Sequence, residues 1–448
     1  EIKEGLIPVN MFYVSQSLTE NLSTEAFYQL EWDQTVVDNC GTFFSQPDVI
    51  ADGCDNNLAV LRTRNGLNSA LTAAGLPASL RNASINTLAA KGVTWGNPDE
   101  GVIVRRGPDR DARDSGQFGV SFKYMFDPLD TEFGAYFMNY HSRAPIFSGK
   151  GAPASAYSAA GLVGSLRAAG VPAGVAAGLA PTLLPLVVAG NSSYYVEYPE
   201  DIRLYGLSFS TTLPTGTAWS GEVSYRPNAP VQLNTTDILF SGLTPLNPNV
   251  SVLQGTPGQD QQGYRRKEVT QLQTTLTHFF DQVMGAERLT LVGEVGFTHV
   301  GGLESSSKAR YGRDPSYGPG PLPSGQCVAL NTSTLAGGPQ NNVSRYCEND
   351  GFTTANSWGY RGRAIWEYND VFAGVNLKPN VAWSHDVEGY SPGPGGNFEE
   401  GRKAVSLGVD AEYQNTYTAS LAYTNFFDGK YTTVDDRDFV ALSFGVNF

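Results

Sequence analysis

Histidine and cysteine are scarce in this chain of 448 residues, with four of each. The cysteines fall as two local pairs, Cys40 with Cys54 and Cys327 with Cys347, and neither pair has a histidine or a Cys-x-x-Cys beside it. That spacing argues against a zinc site. Of the three connectivities that four cysteines allow, two local loop disulfides are the simplest, and such bonds persist outside the cytosol. Cationic residues are also short. Against 44 Asp and Glu stand 30 Lys and Arg, a net charge of -14, which argues against a nucleic-acid partner. There is no G-x-S-x-G elbow and no evident Ser and His pair, so the residues point to neither an enzyme nor a cofactor. Asp109-Arg-Asp-Ala-Arg-Asp114 and the carboxylates Asp435, Asp436 and Asp438 could meet divalent ions. The first stretch lacks the Gly and terminal Glu of an EF-hand loop, and no metal site is expected.

Long apolar runs are missing as well. Nowhere do about 18 apolar residues follow one another without a Gly or Pro, so the signature of helical membrane proteins is lost. A membrane barrel escapes that test, because only alternate residues face lipid. The opening Glu1-Ile-Lys-Glu4 lacks the apolar core of a signal peptide, so the chain reads as mature, processed or truncated.

What the chain has is alternation. In its last residues, Val440, Leu442, Phe444, Val446 and Phe448 share one face of a strand, and Ala441, Ser443, Gly445 and Asn447 share the other. In 117–126, Phe118, Val120, Phe122, Tyr124 and Phe126 oppose Gln117, Gly119, Ser121 and Lys123. About thirteen such segments are long enough for a tilted spanning strand. They lie near 9–17, 23–34, 116–126, 132–142, 201–212, 217–228, 266–281, 287–300, 355–368, 373–386, 402–413, 416–427 and 437–448. Short turns alternate with long connections at roughly 35–115, 143–200, 229–265, 301–354, 387–401 and 428–436. Short periplasmic turns, long extracellular loops and aromatics at both ends of the apolar faces suit an outer-membrane barrel. The expected fold is all-β: a single transmembrane antiparallel β-barrel domain over 1–448, of about 14 to 16 strands, with short helices in long extracellular loops.

The last strand of such a barrel descends to the periplasm. Counting back, the segment at 9–17 also descends, which makes the count odd, whereas single-chain barrels are usually even. Either at least one strand precedes Glu1 or one segment is miscounted.

With the apolar faces in lipid, Glu31, Lys123, Glu222, Arg226, Glu294, Arg361, Arg363 and Glu367 line the lumen, with both signs roughly balanced. They serve either as a salt-bridged wall or as a selective polar path. His278, His299 and His385 fall on the lipid-facing phase near strand ends, and His141 falls inward at the end of its strand. These positions suit interfacial side chains better than catalysts.

The loop at 143–200 carries no charge from Ala168 to Tyr195, and Pro172, Pro181 and Pro185 should divide it into short helical pieces. An uncharged segment does not stay in water cheaply. Within the long loop 35–115, the segment 57–91 offers Leu58, Val60, Leu61, Leu67, Leu71, Leu76, Leu80, Ile85 and Leu88 at near-helical spacing as its partner. The two loops are expected to form a helical cap, with its own core, with an apolar groove, or with both. Leu162, Val163, Leu166, Val175, Leu179, Leu183, Leu184 and Leu186 are the candidate solute-binding side chains.

Three stretches carry a resemblance to a known family: Glu4-Gly-Leu-Ile-Pro-Val-Asn-Met-Phe12, Leu22-Ser-Thr-Glu-Ala-Phe-Tyr-Gln-Leu-Glu-Trp32 and Asp111-Ala-Arg-Asp-Ser-Gly-Gln-Phe-Gly-Val120. They resemble the DUF1302 proteins of proteobacterial outer membranes, in which these segments follow further N-terminal strands. The resemblance implies an outer-membrane location in a Gram-negative bacterium and assembly by the barrel machinery, which reads a terminal aromatic such as Phe448. It also implies contact with membrane lipid and lipopolysaccharide, and company with an inner-membrane exporter of hydrophobic substrates. It supplies no catalytic residues. The architecture is also similar to that of the long-chain fatty acid and aromatic-hydrocarbon channels of the outer membrane. The expected function is passage of hydrophobic or amphiphilic small molecules. The alternatives are a general polar porin, or a surface structural or adhesion barrel with a plugged lumen.

Overall fold

The computed structural model describes residues 7–45, 48–328 and 346–447; Phe448 and the first three residues of the Glu4–Phe12 stretch lie outside the described residues. Thirteen strands form one sheet in chain order, each antiparallel to the next. They run Met11–Ser17, Leu22–Gln29, Gln117–Phe126, Thr131–Tyr140, Ile202–Thr212, Ala218–Gln232 and Tyr264–Asp281, then Arg288–Gly301, Asn356–Phe372, Val375–Glu388, Lys403–Tyr413, Tyr417–Phe427 and Phe439–Val446. Each coincides with an expected segment, because β-branched and aromatic residues at period two suit a pleated surface with two unlike faces.

Register carries each face around the sheet, since residues directly opposite in an antiparallel pair share a side. Phe118, Val120 and Phe122 oppose Asn139, Phe137 and Ala135, and Leu421 stands between Val409 and Leu442. This face is apolar and open: Leu442 is 63% exposed and Phe444 78%. The other face carries Gln117, Ser121 and Thr298, which are buried. One end of the sheet has tight turns, such as Ser17 to Leu22 and Phe372 to Val375, and the other end carries every long connection. Met11–Ser17 and Phe439–Val446 are the two edges of the sheet. At the loop end Phe44, in the connection that follows Leu22–Gln29, lies with its ring 5.6 Å from that of Phe439.

The first two long connections fold into four helices: α1 (Arg64–Ala73), α2 (Ala78–Ala90), α3 (Ala159–Ala168) and α4 (Ala173–Asn191). Thr63 and Ser158 cap α1 and α3 by accepting from the N–H groups of Gly66 and Gly161. The ends of α1, α2 and α3 repeat one device. Gly75, Gly92 and Gly170 adopt positive φ, and the following Leu76, Val93 and Val171 donate their N–H groups to the carbonyls of Leu71, Leu88 and Leu166. This is the glycine-terminated Schellman arrangement, and it turns an apolar residue back onto the helix it ends. All four helices share one core that includes Leu67, Leu88, Leu166 and Leu183. Each fully buried leucine contributes about 1.5–3 kcal/mol relative to exposure.

Pro172 separates α3 from α4 as expected, at the N-cap of α4, but Pro181 and Pro185 do not divide the loop further. α4 runs unbroken for 19 residues with Pro181 and Pro185 inside it. The N–H groups lost at those prolines free the carbonyls of Ala177 and Pro181, and these residues lie on the open side of the helix. Packing of Leu183 and Val187 on the other side offsets the cost. α4 is long and apolar enough to cross a membrane, yet half of it is buried against the rest of the protein.

A second, four-stranded sheet supports these helices, built from Ile146–Lys150, Ser193–Glu197, Arg105–Arg106 and Asp260–Gln261. Phe147 and Tyr194 from this sheet join Val231, Val269 and Val300 of the large sheet in a second core. A short helix α5 (Thr235–Ser241), capped by Asn234, adds Ile238 to it.

Candidate functional site

Two connected hollows lie in the loop structure. The larger is an open groove of about 800 Å³ between α3, α4 and the segment after α5. Its lining is mostly apolar and includes Val163, Leu184, Leu186, Leu243, Leu246 and Val250, with Arg62, Thr182, Asn247 and Gln326 as its polar members. The smaller is a slot of about 50 Å³ beneath it, bounded by α5, the end of α4 and the strand ending at Lys150. Leu61 and Leu243 belong to the walls of both.

The eight expected apolar side chains divide by depth. Val163, Leu184 and Leu186 line the groove. Leu162, Leu166 and Leu183 lie beneath it in the core, while Val175 and Leu179 pack against that core half-buried. Leu243, Leu246 and Val250 were missed because they come from the third long connection, which has no helical periodicity. Leu61, expected on the partner segment 57–91, lies on the wall of the groove. It adopts φ +60°, a left-handed conformation uncommon for a non-glycine residue. Gly101 presses on the same turn: a Cβ there would come within 2.4 Å of the Val60 carbonyl oxygen. This close approach fixes Leu61 at the junction of groove and slot.

An ion pair anchors α5. Arg310 and Asp237 are almost wholly buried, at 2% and 0% exposure. Arg310 Nε donates to Asp237 Oδ2 at 2.8 Å, and Arg310 also donates to the Pro321 carbonyl. Asp237 is thus fixed by a residue 73 positions later. Glu304 joins the same connection to the large sheet. It accepts from Lys267 and Arg265 at 2.9 Å each and from the Tyr311 hydroxyl at 2.5 Å. Burial works to raise its pKa, but these three donors outweigh burial and hold the carboxyl down at about 2.

The inner face of the large sheet encloses a polar chamber of about 390 Å³, with Glu222, Gln271, Gln273, Glu294 and Arg361 in its wall. The register places Glu222 opposite Gln273, and Glu294 opposite Arg361. Arg226 is bonded to Gln271, Glu294 accepts from Gln273 at 2.7 Å, and Arg363 stands opposite Ala382 on the same inner face. Lys123 lies 3.5 Å from Glu25, Glu31 accepts from the Asn10 N–H at 2.8 Å, and Glu367 stands opposite Arg288. The eight expected inner-face residues therefore spread along the whole wall, and only three of them meet at the chamber.

Phe398 closes one side of this chamber. Gly296 and Gly359 are directly opposite in register, and their missing side chains leave a notch that the Phe398 ring fills, 2.9 and 3.0 Å from where each Cβ would stand. Buried Asp386 latches the loop, accepting from Arg361 at 2.7 Å, from Arg402 Nε at 2.8 Å and from the Glu399 N–H at 3.0 Å. The Gly- and Pro-rich run Ser391-Pro-Gly-Pro-Gly-Gly396 marks a loop in the sequence; nothing there marks its inward course.

The remaining chemistry-bearing residues are structural in setting. Cys40–Cys54 and Cys327–Cys347 are disulfides. His141 is buried, with Nδ1 accepting from the Asp201 N–H and Nε2 facing the Ser115 carbonyl. That pairing assigns the ring proton to Nε2. Asp109 is held by Arg106, and Asp438 accepts from the Phe426 N–H. Among the described residues no group of three or more His, Cys, Asp or Glu side chains converges as a metal ion would require.

A family model described as protein of unknown function (DUF1302) matches residues 1–448. Among solved structures, the chain is similar to a FadL homologue of Pseudomonas aeruginosa at 11% identity, covering 94% of this chain and 70% of that one, with a TM-score of 0.33. A variant of the ferric enterobactin receptor PfeA of P. aeruginosa, in complex with enterobactin, is 11% identical over 92% of this chain, with a TM-score of 0.30. The ferric-catecholate import receptor Fiu of E. coli is 11% identical, covering 93% of this chain and 57% of that one, with a TM-score of 0.23. The chain spans 40% of the length of the enterobactin receptor it matches. No curated protein matches it.

Proposed function

This chain belongs to the DUF1302 family, and we propose that it passes hydrophobic or amphiphilic small molecules across the outer membrane of a Gram-negative bacterium. In this reading the large sheet is the wall of a transmembrane barrel, and its thirteen strands among the described residues are one fewer than the lowest count expected. The apolar outer face meets lipid, the tight turns face the periplasm, and the helices form an extracellular cap. Passage is passive, with no enzymatic step and no cofactor. Lipopolysaccharide surrounds the cap, the barrel assembly machinery inserts the protein, and an inner-membrane exporter completes the route.

The observation that carries the proposal is the groove of about 800 Å³ with Val163, Leu184, Leu186 and Leu246 on its walls. Its size falls in the range of small-molecule sites, and its few polar groups suit an apolar body. The polar chamber behind Phe398 supports a second reading, a polar porin, and the same experiment separates the two. Purified protein in non-ionic detergent is titrated with a fluorescent hydrophobic probe and also placed in a planar bilayer. The expected result is saturable probe binding that weakens at least tenfold in Val163→Asp and Leu246→Asp, with little open-pore current. Probe binding unchanged in both variants sinks the capture proposal. Large steady conductance without probe binding favours the porin.

A further inference from the structure

Two arginines stand two residues apart on the inner face of Asn356–Phe372, and their surroundings differ. Arg361 is fully engaged. It donates to Asp386 at 2.7 Å and to the Tyr360 carbonyl, and its guanidinium lies over the Phe398 ring. Arg363 is exposed on that face. It makes one long contact, 3.5 Å to the Asn380 side-chain oxygen, and no ion pair to any described residue. Two carboxylates on the same face already have partners. Glu294 stands opposite Arg361 and accepts from Gln273 and Thr275. Asp410 accepts from Asn380 at 3.1 Å and stands opposite Lys378.

The register sets Arg363, Ala382, Ser406 and Thr424 side by side in one row across four strands. Arg361, Ser384 and Ala404 form the next such row toward the loop end. Residues directly opposite in antiparallel pairs share a face, so the small side chains of both rows leave a hollow beside the guanidinium. It measures about 300 Å³, and Val292, Arg363, Ala382, Ser384, Ala404 and Ser406 belong to its wall. Glu294 and Arg361 belong both to this wall and to that of the polar chamber, so the two hollows adjoin. The Ser406 and Thr424 hydroxyls are bonded to each other at 3.0 Å, which leaves one hydroxyl hydrogen unused. The Ser384 hydroxyl makes no hydrogen bond to a described residue.

We propose that this hollow is an anion station on the inner wall, and that it takes a small organic carboxylate. The planar guanidinium of Arg363 offers paired N–H donors that match a carboxylate. The hydroxyls supply further donors in the same row and the next one. Val292, Ala382 and Ala404 suit an apolar body, and about 300 Å³ is the lower end for small-molecule sites, which selects a compact solute. Glu294 and Arg361 offset one another, so Arg363 sets the net charge of the hollow and an anion is the solute that gains from it. The proposal rests on the reading of the large sheet as a barrel wall. It adds a second station beyond the groove and the class of solute that stops there.

The test compares para-fluorobenzoate, para-fluorobenzamide and para-fluorobenzylammonium on the full chain in non-ionic detergent, by fluorine NMR line broadening against detergent alone. The expected result is that the carboxylate binds roughly tenfold more tightly than the neutral amide, as one charge-assisted hydrogen bond allows, and that the ammonium ion binds no better than the amide. Arg363→Gln should abolish the preference. Arg363→Lys, which keeps the charge but loses the fork, should retain part of it. Both variants should bind the hydrophobic probe of the groove as the unchanged protein does. Equal binding of carboxylate and amide, or a preference that survives Arg363→Gln, overturns the anion station while leaving groove capture standing. If the unchanged protein binds neither the carboxylate nor the hydrophobic probe, the capture reading falls together with this proposal.

Discussion

Replacing Asp237 by Asn should loosen the floor of the groove without unfolding the sheet. The carboxylate is fully buried and receives both Nε and a terminal nitrogen of Arg310, itself 2% exposed. The amide keeps the volume but leaves the guanidinium charge uncompensated in a site closed to water. Removing one member of such a pair costs about 3–5 kcal/mol, whereas replacing both by apolar residues of similar size is often neutral or stabilising. Asp237→Asn and Arg310→Met should therefore each destabilise by that amount. The double variant Asp237→Leu with Arg310→Met should recover most of it, so a double-mutant cycle built on the single variants Asp237→Leu and Arg310→Met departs from additivity by several kcal/mol. The loss should be local, because α5 and the segment around Arg310 belong to the loop structure and the strands hold their own ladders. Limited proteolysis in detergent reads this directly. Cleavage within 233–263 and 302–328 should accelerate in the single variants and slow again in the double one, while the strand fragments stay intact. Probe binding should fall in parallel, since α5 residues and Leu243 wall the slot. Unchanged cleavage in Asp237→Asn, or additive losses in the double variant, would refute the reasoning.

Three further outcomes follow from the same structure. Leu421→Arg, on the open outer face, should cost about 2–4 kcal/mol in a lipid bilayer, while Ser420→Arg on the inner face should cost far less; equal losses measured by reversible unfolding into urea would contradict the face assignment. Because Glu304 is held at about 2 in the folded protein against 4.5 unfolded, its stabilisation is fully present above pH 4.5 and is lost as pH falls toward 2, about 3 kcal/mol in all. Glu304→Gln should remove that acid-dependent loosening of the loops; a proteolysis profile between pH 5 and pH 3 identical to wild type would show the three donors to be unimportant. Phe398→Ala empties the notch between Gly296 and Gly359 and should raise planar-bilayer current severalfold, at a local cost of about 3–5 kcal/mol; unchanged current would mean that this ring does not restrict the inner face.

Much of the fold was legible because its signals are local. A two-residue period fixes which side chains share a face, so Val440, Leu442 and Phe444 declared the outer side and Glu294 and Arg361 the inner one. Connection lengths gave the tight end and the loop end. The endings of α1, α2 and α3 are written as Gly75-Leu76, Gly92-Val93 and Gly170-Val171, since a left-handed residue followed by an apolar one closes a helix onto itself. The prolines of α4 misled, because the sequence shows the missing N–H groups but not the neighbouring core that offsets them.

The site was legible only in part. The apolar character of 155–190 marked it as material for a cap, yet helical spacing alone could not say which leucines lie under the groove and which on its surface. Three of the eight, Val163, Leu184 and Leu186, reach its wall. The residues that shape the hollows come together across long stretches of chain: Leu61 with Leu243 at the groove, Asp237 with Arg310 beneath α5, and Phe398 with Gly296 at the polar chamber. By itself the sequence determined the strands, their faces and their order, because backbone sterics and side-chain alternation act between near neighbours. Only the tertiary structure decided which loop segments meet, and so where the groove opens, because those contacts depend on how separate segments fill shared space.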